Sequence, residues 1–72
     1  KQKTTQEEEI IEEHATTGSI KIVCTSGSVT ITYYNNSKTL YKLDSIFIPQ
    51  DAYYVIKSHK KSHLMFFETN CG

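Results

Sequence analysis

Several features that would point to a membrane or nucleic-acid role are missing from this sequence. No stretch approaches the roughly 18 consecutive apolar residues that a membrane-spanning helix needs, and no signal-peptide pattern opens the chain. The eight basic residues are balanced by eight acidic ones, so the formal net charge is zero. Because no stretch is long and apolar enough, we expect no membrane partner. Because phosphate binding requires a net basic face, we also expect no direct contact with nucleic acid.

Residue patterns of common catalytic sites are also absent. The chain has no glycine-rich phosphate loop and no strand–turn–helix nucleophile elbow. Its glutamates are concentrated near the start of the chain, where they cannot be assigned as an acid–base pair. These absences predict that the chain is not an enzyme and that it has no catalytic residues.

Cysteine is scarce, with only Cys24 and Cys71 in the whole chain. Two cysteines do not make a disulfide framework, and the sequence leaves a single disulfide and two free thiols equally open. Cys24 follows Ile20 and Ile22 at a spacing of two, on the apolar face of a predicted strand. This position predicts a small buried apolar side chain rather than a nucleophile.

The first part of the chain is strongly acidic, since five of residues 1–13 are glutamate. Like charges in a block repel one another and stay solvated, so we expect a flexible lead-in over residues 1–13 and a folded domain over residues 14–72. The chain begins with Lys1, and 72 residues bury little core. Both facts predict a segment of a longer protein, whose strands are covered by further strands or by a partner.

The rest of the chain has the pattern of short β-strands separated by turns. Apolar and polar residues alternate over residues 20–25 and again over 29–33, and the turn at 26–28 predicts that these two strands pair antiparallel. Residues 57–63 are polar and predict a hairpin loop, and the apolar run at 64–67 predicts the closing strand. Five or six strands at spacings of about ten residues predict an all-β sandwich or barrel.

The stretch from residue 43 to residue 57 carries the most information about the fold. Two apolar runs, 46–48 and 52–56, flank the only proline, Pro49. Proline has no N–H for a β-ladder and therefore belongs at the end of a strand, so the stretch predicts a strand, a tight corner and a second strand. An acidic residue, an aromatic-rich strand, a proline corner and a second aromatic strand together resemble the second half of a cupin-type jelly roll.

This half of the chain also resembles the C-terminal cupin domain of the centromere protein C family. Residues 46–49 read Ile-Phe-Ile-Pro, residues 53–58 read Tyr-Tyr-Val-Ile-Lys-Ser and residues 64–68 read Leu-Met-Phe-Phe-Glu, in the order of that family's C-terminal segment. The family usually has glycine where this chain has Leu43, and a glycine–asparagine pair where it has Asp-Ala at 51–52. The resemblance implies an all-β, cupin-type jelly-roll barrel (a double-stranded β-helix), present here as a partial domain.

The resemblance implies a function as well. It predicts a non-catalytic homodimerisation module of an inner-kinetochore protein, which scaffolds centromere assembly in the nucleus. Its partners would be a second copy of itself and other centromere or kinetochore proteins. The Ser-Ile-Phe-Ile run at 45–48 also resembles the C-terminal β-domain of zinc-dependent type I mannose-6-phosphate isomerases, whose catalytic residues would lie outside this segment. A cupin pocket that senses a small ligand is a third alternative.

Many cupins bind a metal through two histidines and a glutamate of a first motif and a histidine of a second. Aligned on the turn glycine and on the proline, these four positions are His14, Thr16, Ile20 and Tyr54. Only His14 has a ligating side chain, whereas a catalytic metal needs about three protein ligands. The other two histidines lie in the polar 57–63 loop beside lysines, which disfavour a bound cation. We therefore expect no metal and no cofactor.

Side-chain alternation predicts an interface. If Tyr54 faces the interior, its neighbours Tyr53 and Val55 face outward. The closing strand is apolar on both faces, which must therefore be covered on both sides. Further strands of the same chain or a second copy in a two-fold dimer would provide that cover, and both remain open. For the dimer, the predicted interface residues are Tyr53, Val55, Leu64 and Phe66.

Overall fold

The computed structural model of the chain describes residues 1–14 and 18–70, which form eight β-strands. Within this part of the chain, no helix has the length and apolarity to cross a bilayer. The strands are β1 (Gln2–Thr5), β2 (Ile10–His14), β3 (Gly18–Ser26), β4 (Val29–Tyr33), β5 (Asn36–Leu40), β6 (Ser45–Ile48), β7 (Tyr53–Ser58) and β8 (Ser62–Asn70).

The strands are arranged in two four-stranded antiparallel sheets. The first sheet has the order β1-β8-β3-β6 and the second has the order β2-β7-β4-β5. Of the connections between β1 and β8, only the one from β4 to β5 stays within one sheet, through a two-residue turn at Tyr34 and Asn35. At every other connection in this range, the chain passes from one sheet to the other. This is the winding of a jelly roll, so the predicted all-β jelly-roll fold is confirmed.

The turn at residues 26–28 leads into the other sheet, so the predicted antiparallel pairing of the two strands beside it is wrong. β3 pairs with β8 and β6, whereas β4 pairs with β5 and β7. Gly27 has a φ of 90°, and a Cβ on it would lie 2.7 Å from the Lys61 carbonyl oxygen. At this point of close approach, the chain passes from β3 in the first sheet to β4 in the second. The 57–63 loop also joins the two sheets, between β7 and β8, and is not a hairpin.

The acidic segment at residues 1–13 differs from the predicted flexible lead-in, because it contributes β1 and most of β2. β1 pairs with β8 and β2 pairs with β7, so the expected domain boundary at residue 13 falls inside a strand. Alternation explains how a charged segment enters a sheet: Ile11 packs against the core while Glu12 points outward. The three consecutive glutamates at 7–9 lie in the connection between the two strands.

The core lies between the two sheets. It is formed by alternate residues of β3, β4, β6, β7 and β8, as the period of two in a strand requires. Cys24 lies in this core as the alternation predicts, and its Sγ donates a hydrogen bond to the Ser26 carbonyl oxygen at 3.3 Å. Cys71 lies outside the described residues. The buried apolar residues are Ile20, Ile22, Cys24, Val29, Ile31, Leu40, Ile46, Ile48, Ala52, Tyr54, Ile56, Leu64 and Phe66.

Tyr54 is the largest fully buried side chain, with 1% of its surface exposed. Its hydroxyl donates a 3.0 Å hydrogen bond to Glu13 Oε2 on β2. Lys3 Nζ on β1 lies 4.0 Å from Glu13 Oε1, so one polar cluster joins β1, β2 and β7. Burial, followed by the negative charge of Glu13 and the hydrogen bond to it, raises the pKa of Tyr54 above its ordinary value of 10.0.

In the described part of the chain, turns hold four residues other than glycine at positive φ, namely Glu8, Tyr34, Leu43 and Asp51. Leu43 has a φ of 71° and its side chain is 73% exposed. Its N–H donates to the Cys24 carbonyl oxygen at 2.6 Å, which fixes the turn between β5 and β6. A left-handed conformation is costly for a residue with a Cβ, so glycine suits this position better than leucine.

We expect Leu43→Gly to raise the free energy of unfolding by about 1 kcal/mol. Relief of the left-handed conformation gains about 1–2 kcal/mol, of which the greater flexibility of glycine in the unfolded chain offsets about 0.5–1 kcal/mol. Urea denaturation measures the change. Gly27→Ala is the reverse control, at a left-handed glycine, and is expected to destabilise. A loss of stability in Leu43→Gly would contradict the interpretation of its turn.

We also expect the unfolding free energy to fall as the pH rises above 10.0, the ordinary pKa of tyrosine. The folded-state pKa of Tyr54 is raised, so its stabilising effect is complete below the unfolded pKa and is lost as the pH rises through the folded pKa. Tyr54→Phe should therefore show a shallower alkaline decline in urea titrations. Tyr34→Phe, which changes an exposed tyrosine, is the control. Equal declines in wild type and Tyr54→Phe would contradict this assignment.

Candidate functional site

The positions that carry the metal ligands in catalytic cupins do not form a metal site where the structure describes them. Ile20 is a core residue without a donor atom, and the Tyr54 hydroxyl is committed to Glu13. His14 Nε2 lies 2.9 Å from the Asp51 carbonyl oxygen at the surface. Thr16 lies outside the described residues. No group of three or more histidine, cysteine, aspartate or glutamate side chains converges within residues 1–14 and 18–70. These side chains do not fit the metal of a catalytic cupin.

The two histidines near the β7–β8 corner contact different sheets and do not converge. His59, in the connection between β7 and β8, has its Nε2 2.6 Å from Thr30 Oγ1 on β4 of the second sheet. His63, on β8, has its Nδ1 3.1 Å from Thr4 Oγ1 on β1 of the first sheet. Each imidazole is therefore bonded to a threonine of a different sheet.

Tyr53 and Val55 lie on the outer face of the second sheet. Tyr53 is 52% exposed, and its hydroxyl donates a 3.1 Å hydrogen bond to Glu12 Oε2. Val55 has Glu12 on one side and Thr32 on the other as its cross-strand partners. Their part in a dimer interface stays a prediction. The surface around them is mixed, because acidic and hydroxyl side chains surround the two predicted residues.

Leu64 and Phe66 are not on an outer face, which corrects their predicted position. They are 2% and 4% exposed, and their cross-strand partners on β3 are the buried residues Cys24 and Ile22. The pattern correctly separates Leu64 and Phe66 from the alternate pair of β8. It does not say which pair faces the core, because both pairs are apolar. The structure therefore does not bring the four predicted interface residues into one surface.

The outer face of the first sheet carries an apolar surface that the sequence interpretation missed. Phe47 is 58% exposed and Phe67 is 51% exposed, and both are cross-strand partners of Lys21 on β3. Val23 and Met65, which are partners in the next row of the same face, are half-buried. We call these five residues the Phe47–Phe67 face. A sequence signal for this face was present in β6, where Phe47 alternates with two isoleucines that are buried.

Comparison with models of protein families and with curated proteins gives no match. Comparison with solved structures gives cupins of low sequence identity. The crystal structure of Drosophila melanogaster CENP-C bound to CAL1 has a TM-score of 0.85 and 17% identity, over 94% of this chain and 62% of that chain. The Schizosaccharomyces pombe Cnp3 cupin domain has a TM-score of 0.77 and 14% identity, over 88% of this chain and 48% of that chain. The chain thus spans less than two thirds of either structure.

An enzyme has the same fold, which overturns the prediction that the chain is not an enzyme. Salicylate 1,2-dioxygenase from Pseudaminobacter salicylatoxidans has a TM-score of 0.86 and 13% identity, over 93% of this chain and 19% of that chain. The prediction was wrong because missing motifs exclude only the chemistries that need those motifs, and a fold hosts catalytic and other functions alike. The isomerase alternative, whose catalytic residues would lie outside this chain, stays a prediction.

These likenesses agree with the topology. The CENP-C and Cnp3 domains share with this chain the two-sheet barrel that the stretch around Pro49 predicts. The sequence resemblance to the centromere protein C cupin is thereby confirmed as a likeness of fold. The chain has the cupin fold.

Proposed function

We propose that this chain is the homodimerisation module of a centromere protein. Two copies of the cupin would pair and bring together two chains of an inner-kinetochore protein in the nucleus, where the pair scaffolds centromere assembly. The observation that carries the proposal is the exposed Phe47–Phe67 face on a fold shared with the CENP-C and Cnp3 cupins. Exposed aromatic side chains grouped on one face of a sheet are typical of a partner interface.

The Phe47–Phe67 face suits a two-fold interface better than the face around Tyr53. In a two-fold dimer each residue is buried twice, once on each copy. Burial of an exposed phenylalanine contributes roughly 1.5–3 kcal/mol, and the face presents two of them beside half-buried Val23 and Met65. On the second sheet, by contrast, Tyr53 is surrounded by polar side chains and already bonds Glu12.

Lys21 lies between the two phenylalanines and gives the face one positive charge. Its long aliphatic stem can cover apolar surface while the ammonium group stays in water. In a dimer this arrangement keeps the charge at the rim and leaves the aromatic rings for contact. The position of Lys21 therefore does not prevent burial of the face.

The proposed scaffold function has a physical basis in valency. Joining two chains makes the second of two weak contacts intramolecular, which strengthens binding to a centromeric surface without any new contact. The CENP-C structure was obtained as a complex with CAL1, so at least one cupin of this fold also binds another protein. We include further centromere or kinetochore proteins among the partners of this chain on the same ground.

Light scattering across a concentration series tests the dimer and its face together. We expect a wild-type dimer, and we expect Phe67→Lys to weaken dimerisation roughly hundredfold or more, because each dimer loses two buried rings and gains two charges. Tyr53→Lys changes an equally exposed aromatic residue on the opposite face and should leave the dimer intact. Circular dichroism checks that both variants fold.

The other outcomes are informative. A wild-type chain that stays monomeric at all concentrations would contradict homodimerisation. If Tyr53→Lys dissociates the dimer and Phe67→Lys does not, the dimer uses the outer face of the second sheet, where Tyr53 and Val55 lie, and our choice of face is wrong.

A further inference from the structure

A groove lies between the outermost strand of each sheet, where β5 of the second sheet faces β6 of the first. It encloses a volume of about 650 Å³, which lies within the ~300–1,000 Å³ typical of ligand sites. We call it the edge groove. The side chains that matter for its chemistry are Lys21, Tyr33, Lys38, Ser45, Ile46 and Phe47.

The backbone of β6 turns toward this groove hydrogen-bonding groups that no described strand pairs. Among the described strands, β6 pairs only with β3, and β5 pairs only with β4. The Cys24 N–H donates to the Asp44 carbonyl oxygen at 2.9 Å, and bonded residues alternate along an antiparallel ladder. Ile46 is therefore bonded to β3, whereas the backbone groups of Ser45 and Phe47 point away from β3, into the groove.

A contact across the groove supports the conclusion that the backbone groups of Ser45 point away from β3. Lys38 Nζ of β5 donates a 3.0 Å hydrogen bond to the Ser45 carbonyl oxygen of β6. The outward acceptor of the edge strand is thus bonded by an exposed ammonium group rather than by another strand. Lysine on an edge is a common means of blocking random strand pairing. An incoming peptide N–H can replace that donor if the peptide also neutralises the ammonium charge.

The charge of the groove is positive although the chain as a whole is neutral. Lys21 and Lys38 both line it, and no aspartate or glutamate is among its lining residues. The two lysines lie on different sides of the edge. Lys21 is on the outer face of the first sheet beside Phe47, whereas Lys38 pairs with buried Ile31 and so points toward the space between the sheets.

We propose that the edge groove binds an extended acidic peptide segment of a partner protein, which adds to β6 as a further antiparallel or parallel strand. Main-chain hydrogen bonds to Ser45 and Phe47 would provide the affinity. Successive side chains of an added strand point to opposite faces, so two adjacent acidic residues would meet Lys21 on one side and Lys38 on the other.

This proposal can be tested separately from homodimerisation. The Phe47–Phe67 face and the edge groove share Lys21 and Phe47, but Lys38 belongs to the groove alone. A change at Lys38 therefore tests the groove without altering the apolar face. Lys57 lies on the outer face of the second sheet, away from the groove lining, and offers a charge change of equal size as a control.

The probe is a fluorescein-labelled peptide, Thr-Val-Glu-Glu-Val-Thr, measured by fluorescence anisotropy with the full chain. We expect binding that weakens with salt, and we expect Lys38→Glu to weaken it by about tenfold or more while Lys57→Glu has little effect. A peptide with both glutamates replaced by lysine should not bind. A peptide N-methylated at the alternate residues that would bond β6 should bind more weakly, because those residues no longer have an N–H to donate.

Amide resonances of the ¹⁵N-labelled chain locate the probe. The Ser45 and Phe47 resonances should shift on titration, and those of β7 should not. The proposal is overturned if the acidic and basic peptides bind equally, if Lys38→Glu and Lys57→Glu have the same effect, or if the shifts lie elsewhere. It is also overturned if glutarate alone produces the same shifts at the same concentration, because the groove would then be a site for small dicarboxylates. None of these results bears on the dimer, whose readout is mass.

Discussion

At one end of the barrel, two buried serines hold three parts of the chain together. Ser62 Oγ accepts a hydrogen bond from the Ser28 N–H at 2.9 Å, and Ser58 Oγ lies 2.8 Å from Thr5 Oγ1. Both serine hydroxyls also donate to the Lys60 carbonyl oxygen at 2.7 Å. Buried hydroxyls are costly unless they are bonded, and these bonds allow Ser58 and Ser62 both to point inward. Because a shift of one residue would move every side chain to the other face, this corner fixes which residues of β7 and β8 form the core.

The dependence of the core on this serine corner explains what could be predicted from the sequence and what could not. The strands on either side of Pro49 were predictable because proline and short apolar runs act locally. The inward face of β8 was not, because Leu64 and Phe66 are no more apolar than the residues between them, and the serine corner decides between the two sets. The sheet to which each strand belongs was not predictable either, since it depends on how closely Gly27 approaches the neighbouring corner.

Charge was a poor guide to order at the start of the chain. A block of glutamates is soluble, but a strand needs only one apolar face, and Ile11 together with the backbone ladder to β7 provides it. Sequence patterns were also a poor guide to the candidate site. Side-chain alternation predicted four interface residues that do not share one surface, whereas the surfaces with distinctive chemistry arise from the register between strands far apart in sequence. The aromatic pair around Lys21 exists only because β6 and β8 flank β3.

The position of β8 in the middle of the first sheet has a consequence for how the chain folds. β8 pairs with both β1 and β3, and the Phe66 N–H donates to the Lys1 carbonyl oxygen at 2.7 Å. Among the described strands, β1 pairs only with β8, so β1 has no partner strand until β8 has been synthesised. Contacts of such long sequence separation require large loops to close before they stabilise anything, which is typical of slow-folding β-proteins. During synthesis on the ribosome, β1 therefore stays unpaired until β8 emerges, whereas β3 can already pair with β6.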